Sequence, residues 1–190
     1  MMETVTKASE KCRKNRRKRR GTGSVVRKIL ARGKSGNSVQ VVEFKIGKEI
    51  FAFDLFDIRE VIAGEDITPI PESPPYIKGI IDLRGAITTI IDLKEILHIT
   101  TNEESAKNPR IIVLDQMIMG KKIGVLVQDV FSVSTYGSDE IERGDHSTDQ
   151  KIGDVMIGVI RQHQIEDETK EKLILWLNIK KIVENIRQNL

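Results

Sequence analysis

Short runs in which apolar and polar residues alternate predict that this chain is built mainly from β-strands. Apolar side chains alternate along residues 42–46 and again along residues 51–55, on either side of Gly47-Lys48. Alternation with a period of two gives each strand one apolar face, and glycine at the first central position suits a type II′ turn. The pattern therefore predicts a β-hairpin near the start of the folded region.

Residues 79–97 form the most apolar stretch, in which isoleucine-rich runs flank one interruption, Asp82-Leu83-Arg84-Gly85. Such runs suit strands that are buried on at least one face. An arginine between two such strands is costly unless its guanidinium reaches water or a partner. Arg84 is therefore expected either at a hairpin corner or on a recognition surface.

The remaining elements are predicted from patterns of the same kind. Asp92 and Asn178 each precede an apolar pattern of helical spacing, and both residue types favour the N-cap of a helix. The polar segments 137–154 and 166–172 are expected to be loops, and residues 100–109 a linker. Apolar runs predict strands at residues 67–70, 111–114, 125–127, 155–160 and 173–177.

Three short patterns occur twice in the same order along the chain. The hairpin at residues 46–50 recurs at 119–123, Gly79-Ile80 recurs as Gly158-Val159, and the strand-to-helix junction at 91–97 recurs at 177–183. Ordered matches predict two similar halves with a boundary near residues 100–110. Because closing a small sheet removes exposed edges, each half is expected to form a β-barrel subdomain with a short helix.

Charge divides the chain into a basic tail, residues 1–38, and an acidic domain, residues 39–190. Residues 1–37 carry a net charge of +11, whereas residues 38–190 carry −8. Eight of the ten positions from Lys11 to Arg20 are Lys or Arg, and such a block is expected to be disordered because it repels itself. The tail is either an arm for nucleic acid or anionic lipid, or a solvated extension without a specific partner.

No pattern of catalytic or metal-binding residues is found, so the residues offer no candidate for catalysis and give little support to a metal site. The three histidines, His98, His146 and His163, lack metal-ligand spacing, and nucleophile, phosphate-binding and dinucleotide motifs are missing. The only cysteine, Cys12, lies in the basic block, and no apolar run is long enough to span a bilayer. These features predict a soluble, cytoplasmic protein.

The composition of the domain also disfavours nucleic acid as its partner. The domain is acidic, and aromatic residues make up only 4% of the chain, so few bases could stack on it. Recognition of other proteins is the function class that remains for the domain.

The pattern of residues 39–186 resembles the CheW-like domain of prokaryotic chemotaxis coupling proteins. The resemblance rests on the hairpin at 44–53, the segments 58–61 and 67–71, the sequence Tyr-Ile-Lys-Gly-Ile-Ile-Asp-Leu-Arg-Gly at 76–85 leading into 91–93, and residues 124–127. It covers the whole acidic domain in order and leaves out the basic tail.

This resemblance implies two five-stranded, SH3-like β-barrel subdomains around a shared apolar core. It further implies an adaptor, without enzymatic activity or cofactor, that couples the cytoplasmic tips of chemoreceptors to the regulatory domain of the histidine kinase CheA. Such an adaptor would be cytoplasmic and would join membrane receptor arrays through these partners. The positions implied in receptor and kinase binding are Ile58, Glu60, Gly79, Arg84 and Val133.

Two positions depart from the usual pattern of the family. Asp82 stands where asparagine is usual before Leu-Arg-Gly, and a carboxylate there could pair with Arg84. Gln128 stands where aspartate is usual in the second half, and the neighbouring Asp129 could take its place.

Overall fold

The computed structural model describes residues 38–64, 66–99, 109–115, 122–144, 150–164 and 167–188. The basic block, including Cys12, and the segment 100–108 lie outside these residues. In the described part a 3₁₀-helix (Leu55–Asp57) and three α-helices occur, α1 (Leu93–Ile96), α2 (Gln150–Val155) and α3 (Ile179–Gln188). The strands are β1 (Ser38–Ile46), β2 (Glu49–Asp54), β3 (Ile58–Ala63), β4 (Ile77–Asp82), β5 (Ile87–Asp92), β6 (Arg110–Leu114), β7 (Ile123–Val127), β8 (Asp129–Gly137), β9 (Ile141–Arg143), β10 (Met156–Gln164) and β11 (Asp167–Leu177).

The strands form two curled sheets, which confirms the prediction of a mainly β fold. The first sheet has six strands in the order β8-β1-β2-β11-β10-β9, and the second has five in the order β3-β6-β7-β5-β4. Most neighbouring strands are antiparallel. The parallel pairs are β2 with β11 and β5 with β7.

The two sheets are built alike, and each contains strands from both halves of the chain. In strand order, β8-β1-β2-β11-β10 of the first sheet corresponds to β3-β6-β7-β5-β4 of the second. Each opening hairpin, β1-β2 or β6-β7, therefore joins the closing strands of the other half. Parallel strands need a long crossover connection, and the exchange of hairpins supplies it.

The boundary predicted near residues 100–110 does not coincide with a change of sheet. Strands β5 and β6 lie on either side of it, and both belong to the second sheet. The chain changes sheet at the 3₁₀-helix (Leu55–Asp57) and again at Gln128, between β7 and β8. The division into a tail, residues 1–38, and a domain, residues 39–190, stays a prediction.

Local turn and cap chemistry agrees with the sequence at several points. Gly47 has a φ of 62° and Lys48 is not in the left-handed region, as a type II′ turn requires. The side chain of Asp92 accepts the N–H of Lys94 at 2.9 Å, and that of Asn178 accepts the N–H of Lys181 at 3.1 Å. Both predicted N-caps are therefore confirmed.

Three predictions of local structure were wrong. Residues 67–70 do not form a strand but make a single β-bridge between Thr68 and Ile80. The predicted loop at 137–154 contains β9 and α2, and β11 begins at Asp167, within the predicted loop at 166–172. Polar composition misleads in β11 because a strand residue need not be buried, and Glu171 of β11 is exposed.

Each sheet buries its own apolar cluster, and α3 adds a further buried stripe. The stripe consists of Ile179, Ile182, Val183 and Ile186, as its helical spacing predicted. Val41, Ala52, Tyr136, Ile160, Ile174 and Trp176 cluster in the first sheet, and Ile81, Ile90, Ile111 and Val113 in the second. Within the described residues, no helix is both long and apolar enough to cross a membrane.

Candidate protein-binding site

The turn between β4 and β5 places Arg84 at a hairpin corner. Leu83 and Ala86 exchange backbone hydrogen bonds of 3.0 and 3.2 Å, so that Arg84 and Gly85 form a two-residue loop. Their φ values are 56° and 79°, and a positive φ at both central residues is the signature of a type I′ turn. This turn normally favours Asn-Gly or Asp-Gly, so turn chemistry does not account for arginine at the first position.

The guanidinium of Arg84 forms a bidentate ion pair with Glu60 on strand β3. Nη1 donates to Oε1 at 3.1 Å, and Nη2 donates to Oε2 at 2.8 Å. The arginine side chain is 74% exposed, whereas that of the glutamate is only 17% exposed. The pair therefore offers its guanidinium, with donors still free to bind, to a partner in solution.

This ion pair joins the two outermost strands of the second sheet. Glu60 lies on β3 at one edge, and the Arg84 turn follows β4 at the opposite edge. Such strands can touch only because the sheet curls back on itself. The Glu60–Arg84 pair therefore lies at the seam where the second sheet closes.

Asp82 supports the turn and does not bind Arg84. Its Oδ1 accepts the backbone N–H of Gly85 at 2.7 Å. The predicted local pairing between this carboxylate and the guanidinium is therefore wrong, since the side-chain partner of Arg84 in the structure is Glu60.

The hairpin that carries Arg84 also has an exposed apolar side chain, that of Ile87. Ile87 is directly opposite Asp82 in the β4–β5 ladder and is 63% exposed. Leu83, in the turn itself, is half-buried against the apolar cluster of the second sheet. An exposed arginine and an exposed isoleucine on one hairpin give it the mixed character of a protein-binding surface.

Two other predicted site residues are buried beneath this surface. Ile58 is 7% exposed and pairs with Leu114 on β6. Gly79 is buried at a bulge of β4, with a φ of 144°. Both residues shape the second sheet, and their burial leaves the Glu60–Arg84 pair, chiefly its exposed arginine, as the accessible part of the predicted set in this sheet.

Val133, the fifth predicted residue, lies in the first sheet, whereas the ion pair lies in the second. It is half-buried on the edge strand β8, opposite Val42 of β1. On the same strand Phe131 is 48% exposed, and the ammonium of Lys172 lies 5.6 Å from the centre of its ring. Phe131 is not among the residues predicted from the sequence, although a phenylalanine next to a valine in an alternating run is a visible signal.

A buried polar network holds β8 to its neighbours. Glu43, 2% exposed on β1, accepts a hydrogen bond from the hydroxyl of Tyr136 at 2.7 Å and one from the ammonium of Lys172 at 3.1 Å. Burial opposes the charge of Glu43, but hydrogen bonds from Ser134, Tyr136 and Lys172 outweigh it and lower the pKa of this carboxyl group. Burial and the neighbouring carboxylate raise the pKa of Tyr136 above its usual range.

The second departure, at Gln128, lies where the chain passes from β7 to β8. Its backbone N–H donates to the carbonyl of Lys45 at 3.1 Å, which ties the crossover to β1. The exposed Asp129 instead accepts the N–H of the next residue, Val130, at 2.9 Å. The Oε1 atom of Gln128 is buried without a hydrogen-bond partner among the described residues, whereas Asp129 is exposed. That Asp129 takes the role of the usual aspartate stays a prediction.

The described residues contain no cluster of three or more histidine, cysteine and carboxylate side chains that could hold a metal ion. His98 is exposed just after α1. His146 lies outside the described residues.

Comparison with known proteins matches residues 40–187 to the model of the CheW-like domain. The chemotaxis protein CheW of Thermotoga maritima is 31% identical over 147 residues, covering 77% of this chain and 89% of that protein. The corresponding protein of Treponema pallidum is 25% identical over 126 residues, covering 65% and 73%. The crystal structure of the scaffolding protein TtCheW from Thermoanaerobacter tengcongensis superposes with a TM-score of 0.64 at 32% identity, covering 77% of this chain and 92% of that one. The two-sheet fold agrees with these sequence and structure matches. The chain therefore belongs to the CheW-like domain family.

Proposed function

We propose that this protein is a chemotaxis adaptor that couples chemoreceptors to the histidine kinase CheA and supports the assembly of receptor–kinase arrays. The observation that carries the proposal is the match to the CheW-like domain, which spans both sheets from residue 40 to residue 187. Relatives of similar length bear the name chemotaxis protein CheW, and a structural relative is called a scaffolding protein. An adaptor acts by binding and not by catalysis.

The partners we propose are the cytoplasmic tips of chemoreceptors and the regulatory domain of CheA, which would place the protein at receptor arrays. The proposed contact residues are the exposed Arg84 and the largely buried Glu60, joined by the bidentate ion pair. Ile58 and Gly79 act by shaping the second sheet beneath the pair, and Val133 contributes from strand β8 of the first sheet. The contact is of the charged and hydrogen-bonded type that gives specificity.

Arg84→Glu tests this proposal. We expect it to weaken co-sedimentation with the cognate kinase and a receptor fragment by about tenfold, as for a central arginine of an interface. The free energy of unfolding should fall by only about 1 kcal/mol, because the arginine side of the pair is exposed. Unfolding of the variant at ordinary temperature would show instead that Arg84 is structural.

Two controls separate contact from fold. Arg59→Glu changes an exposed arginine next to Glu60 and should leave co-sedimentation unchanged. The double variant Glu60→Arg with Arg84→Glu re-forms an ion pair with reversed polarity. If partners contact the pair, co-sedimentation of this variant should remain as weak as that of Arg84→Glu. Full recovery of co-sedimentation would mean that only the presence of an ion pair matters, and not which residue carries which charge.

A further inference from the structure

Arg84 has a left-handed backbone conformation that its side chain does not favour. A non-glycine residue at a φ near 56° has its Cβ close to the following carbonyl oxygen, and few residues other than Gly, Asn and Asp adopt it. Backbone strain of this kind persists only where neighbouring interactions impose it, and it is frequent at functional sites. Some interaction must therefore hold the turn.

The structure supplies this interaction at Asp82. Its Oδ1 accepts the N–H of Gly85 at 2.7 Å, across the turn and immediately after Arg84. The Asp82–Ile87 pair is the last of the β4–β5 ladder, and only the Leu83–Ala86 pair that closes the turn lies beyond it, so the carboxylate acts at the base of the turn. Gly85 has a φ of 79°, which glycine adopts without strain, so the second position of the turn needs no such support.

The geometry of the ion pair depends on this turn. A bidentate pair needs the plane of the guanidinium to align with the carboxylate, and Glu60 is held in place on β3 with only 17% of its side chain exposed. The guanidinium is carried by the turn at the opposite edge of the sheet. A change in the turn would therefore move the guanidinium away from a fixed carboxylate.

We infer that Asp82 is a positioning residue for the proposed partner-binding pair: by accepting the Gly85 N–H, its carboxylate holds the turn that aims Arg84 at Glu60. This inference rests on the proposed function for its effect on binding. The carbonyl oxygen of an asparagine could accept the same hydrogen bond, so the required chemistry is the acceptor and not the charge.

The test compares Asp82→Ala, which removes the acceptor, with Asp82→Asn, which retains it. Asp82→Ala should weaken co-sedimentation with the cognate kinase and receptor fragment about fivefold, the factor for one lost hydrogen bond. Asp82→Asn should bind within about twofold of the unaltered protein, by the same reasoning. Asp66→Ala, a change at another exposed loop aspartate, is the matched control and should have no effect.

A double-mutant cycle distinguishes positioning from direct contact. If Asp82 acts through Arg84, Asp82→Ala should cause no further loss in an Arg84→Ala background. Additive losses would overturn the inference, since they would mean that Asp82 contacts the partner itself. Unchanged binding of Asp82→Ala would overturn it as well. If Asp82→Ala does not fold, retained binding by Asp82→Asn supports the acceptor role, and lost binding contradicts it.

A measurement without partners keeps the two proposals separate. In NMR spectra of the free protein, the bidentate pair should slow rotation of the Arg84 guanidinium, and Asp82→Ala should restore fast rotation while Asp82→Asn does not. If the unaltered protein binds neither kinase nor receptor, the proposed function fails. The NMR comparison still decides the role of Asp82 in that case. Unchanged guanidinium rotation in Asp82→Ala would refute the positioning role.

Discussion

Gly79 is required by the close approach of a neighbouring segment to β4. A Cβ atom built on it would lie 2.2 Å from the carbonyl oxygen of Thr68, and its φ of 144° is one that L-residues rarely adopt. The backbones of Thr68 and Ile80 exchange two hydrogen bonds of 2.9 Å at this point. In the first sheet Gly158 is placed alike: a Cβ there would lie 2.5 Å from the carbonyl oxygen of Glu142.

We therefore expect Gly79→Ala to lower the free energy of unfolding by more than about 2 kcal/mol, since backbone strain and a backbone clash combine. Denaturant unfolding followed by circular dichroism measures the change. Gly85→Ala is the matched control: its Cβ would meet nothing within 4 Å, so only the positive φ opposes it. Equal losses for the two variants would mean that the Thr68 contact is unimportant.

At the residue scale, the sequence predicted where a side chain lies better than it predicted which other side chain it contacts. Arg84 was expected at a hairpin corner or on a recognition surface, and the structure places it at an exposed corner. Its pairing with Glu60, 24 residues away, was not predictable, because it depends on how the sheet curls. The role of Asp82 left a local signal, since an aspartate shortly before a glycine often caps a turn through its side chain.

The elements β1, β8 and β11 share the buried network around Glu43. Tyr136 lies on β8 and Lys172 on β11, and both donate hydrogen bonds to this one carboxylate of β1. Because these bonds lower the pKa of Glu43 in the folded protein, the unfolded chain binds a proton at this group more readily. The network therefore stabilises the fold above the ordinary pKa and less so as the pH falls through the lowered value.

We expect the stability advantage of the unaltered protein over Glu43→Gln to be full at neutral pH and to shrink as the pH falls below the ordinary value of 4.5. The free energies of unfolding of both proteins, measured between pH 7 and acid pH, test this. Glu49→Gln, at an exposed position of β2, should track the unaltered protein. Parallel curves for Glu43→Gln and the unaltered protein would show that the carboxylate is not specially stabilised by folding.

At the element scale, alternation and caps identified most strands and helices but not their arrangement. Local patterns determine that residues 49–54 form a strand, yet they do not specify that β2 pairs with β11 in the other half. The repeated motifs predicted two similar halves, and the strand orders of the two sheets do correspond. The exchange of hairpins depends on contacts between residues far apart in sequence, which no local pattern records.

At the scale of the whole molecule, the acidic domain should bind its partners without the basic tail. Deleting residues 1–37 should leave co-sedimentation with kinase and receptor unchanged at physiological salt, because the candidate contacts lie on β3, the β4–β5 turn and β8. The thermal midpoint should also stay the same, since the two apolar clusters found among the described residues lie after residue 38.

The opposite result would favour the tail as the binding element. If deletion abolishes binding, and if binding by the full chain falls steeply as salt increases, contacts with a polyanion are dominant. Replacing the eight Lys and Arg residues between Lys11 and Arg20 with glutamine gives a matched variant of full length. It should behave like the deletion if charge alone is responsible.

The exchange of hairpins also determines when the protein can fold during its synthesis. Strand β2 ends at Asp54, but its parallel neighbour β11 begins only at Asp167, more than 100 residues later. On the ribosome, the first hairpin therefore waits with an open edge until β11 has been made, and long-range pairing of this kind slows folding. The exchange of hairpins between the halves thus leaves the nascent chain open to pairing with strands of other chains. Chaperones that cover strand edges would protect it.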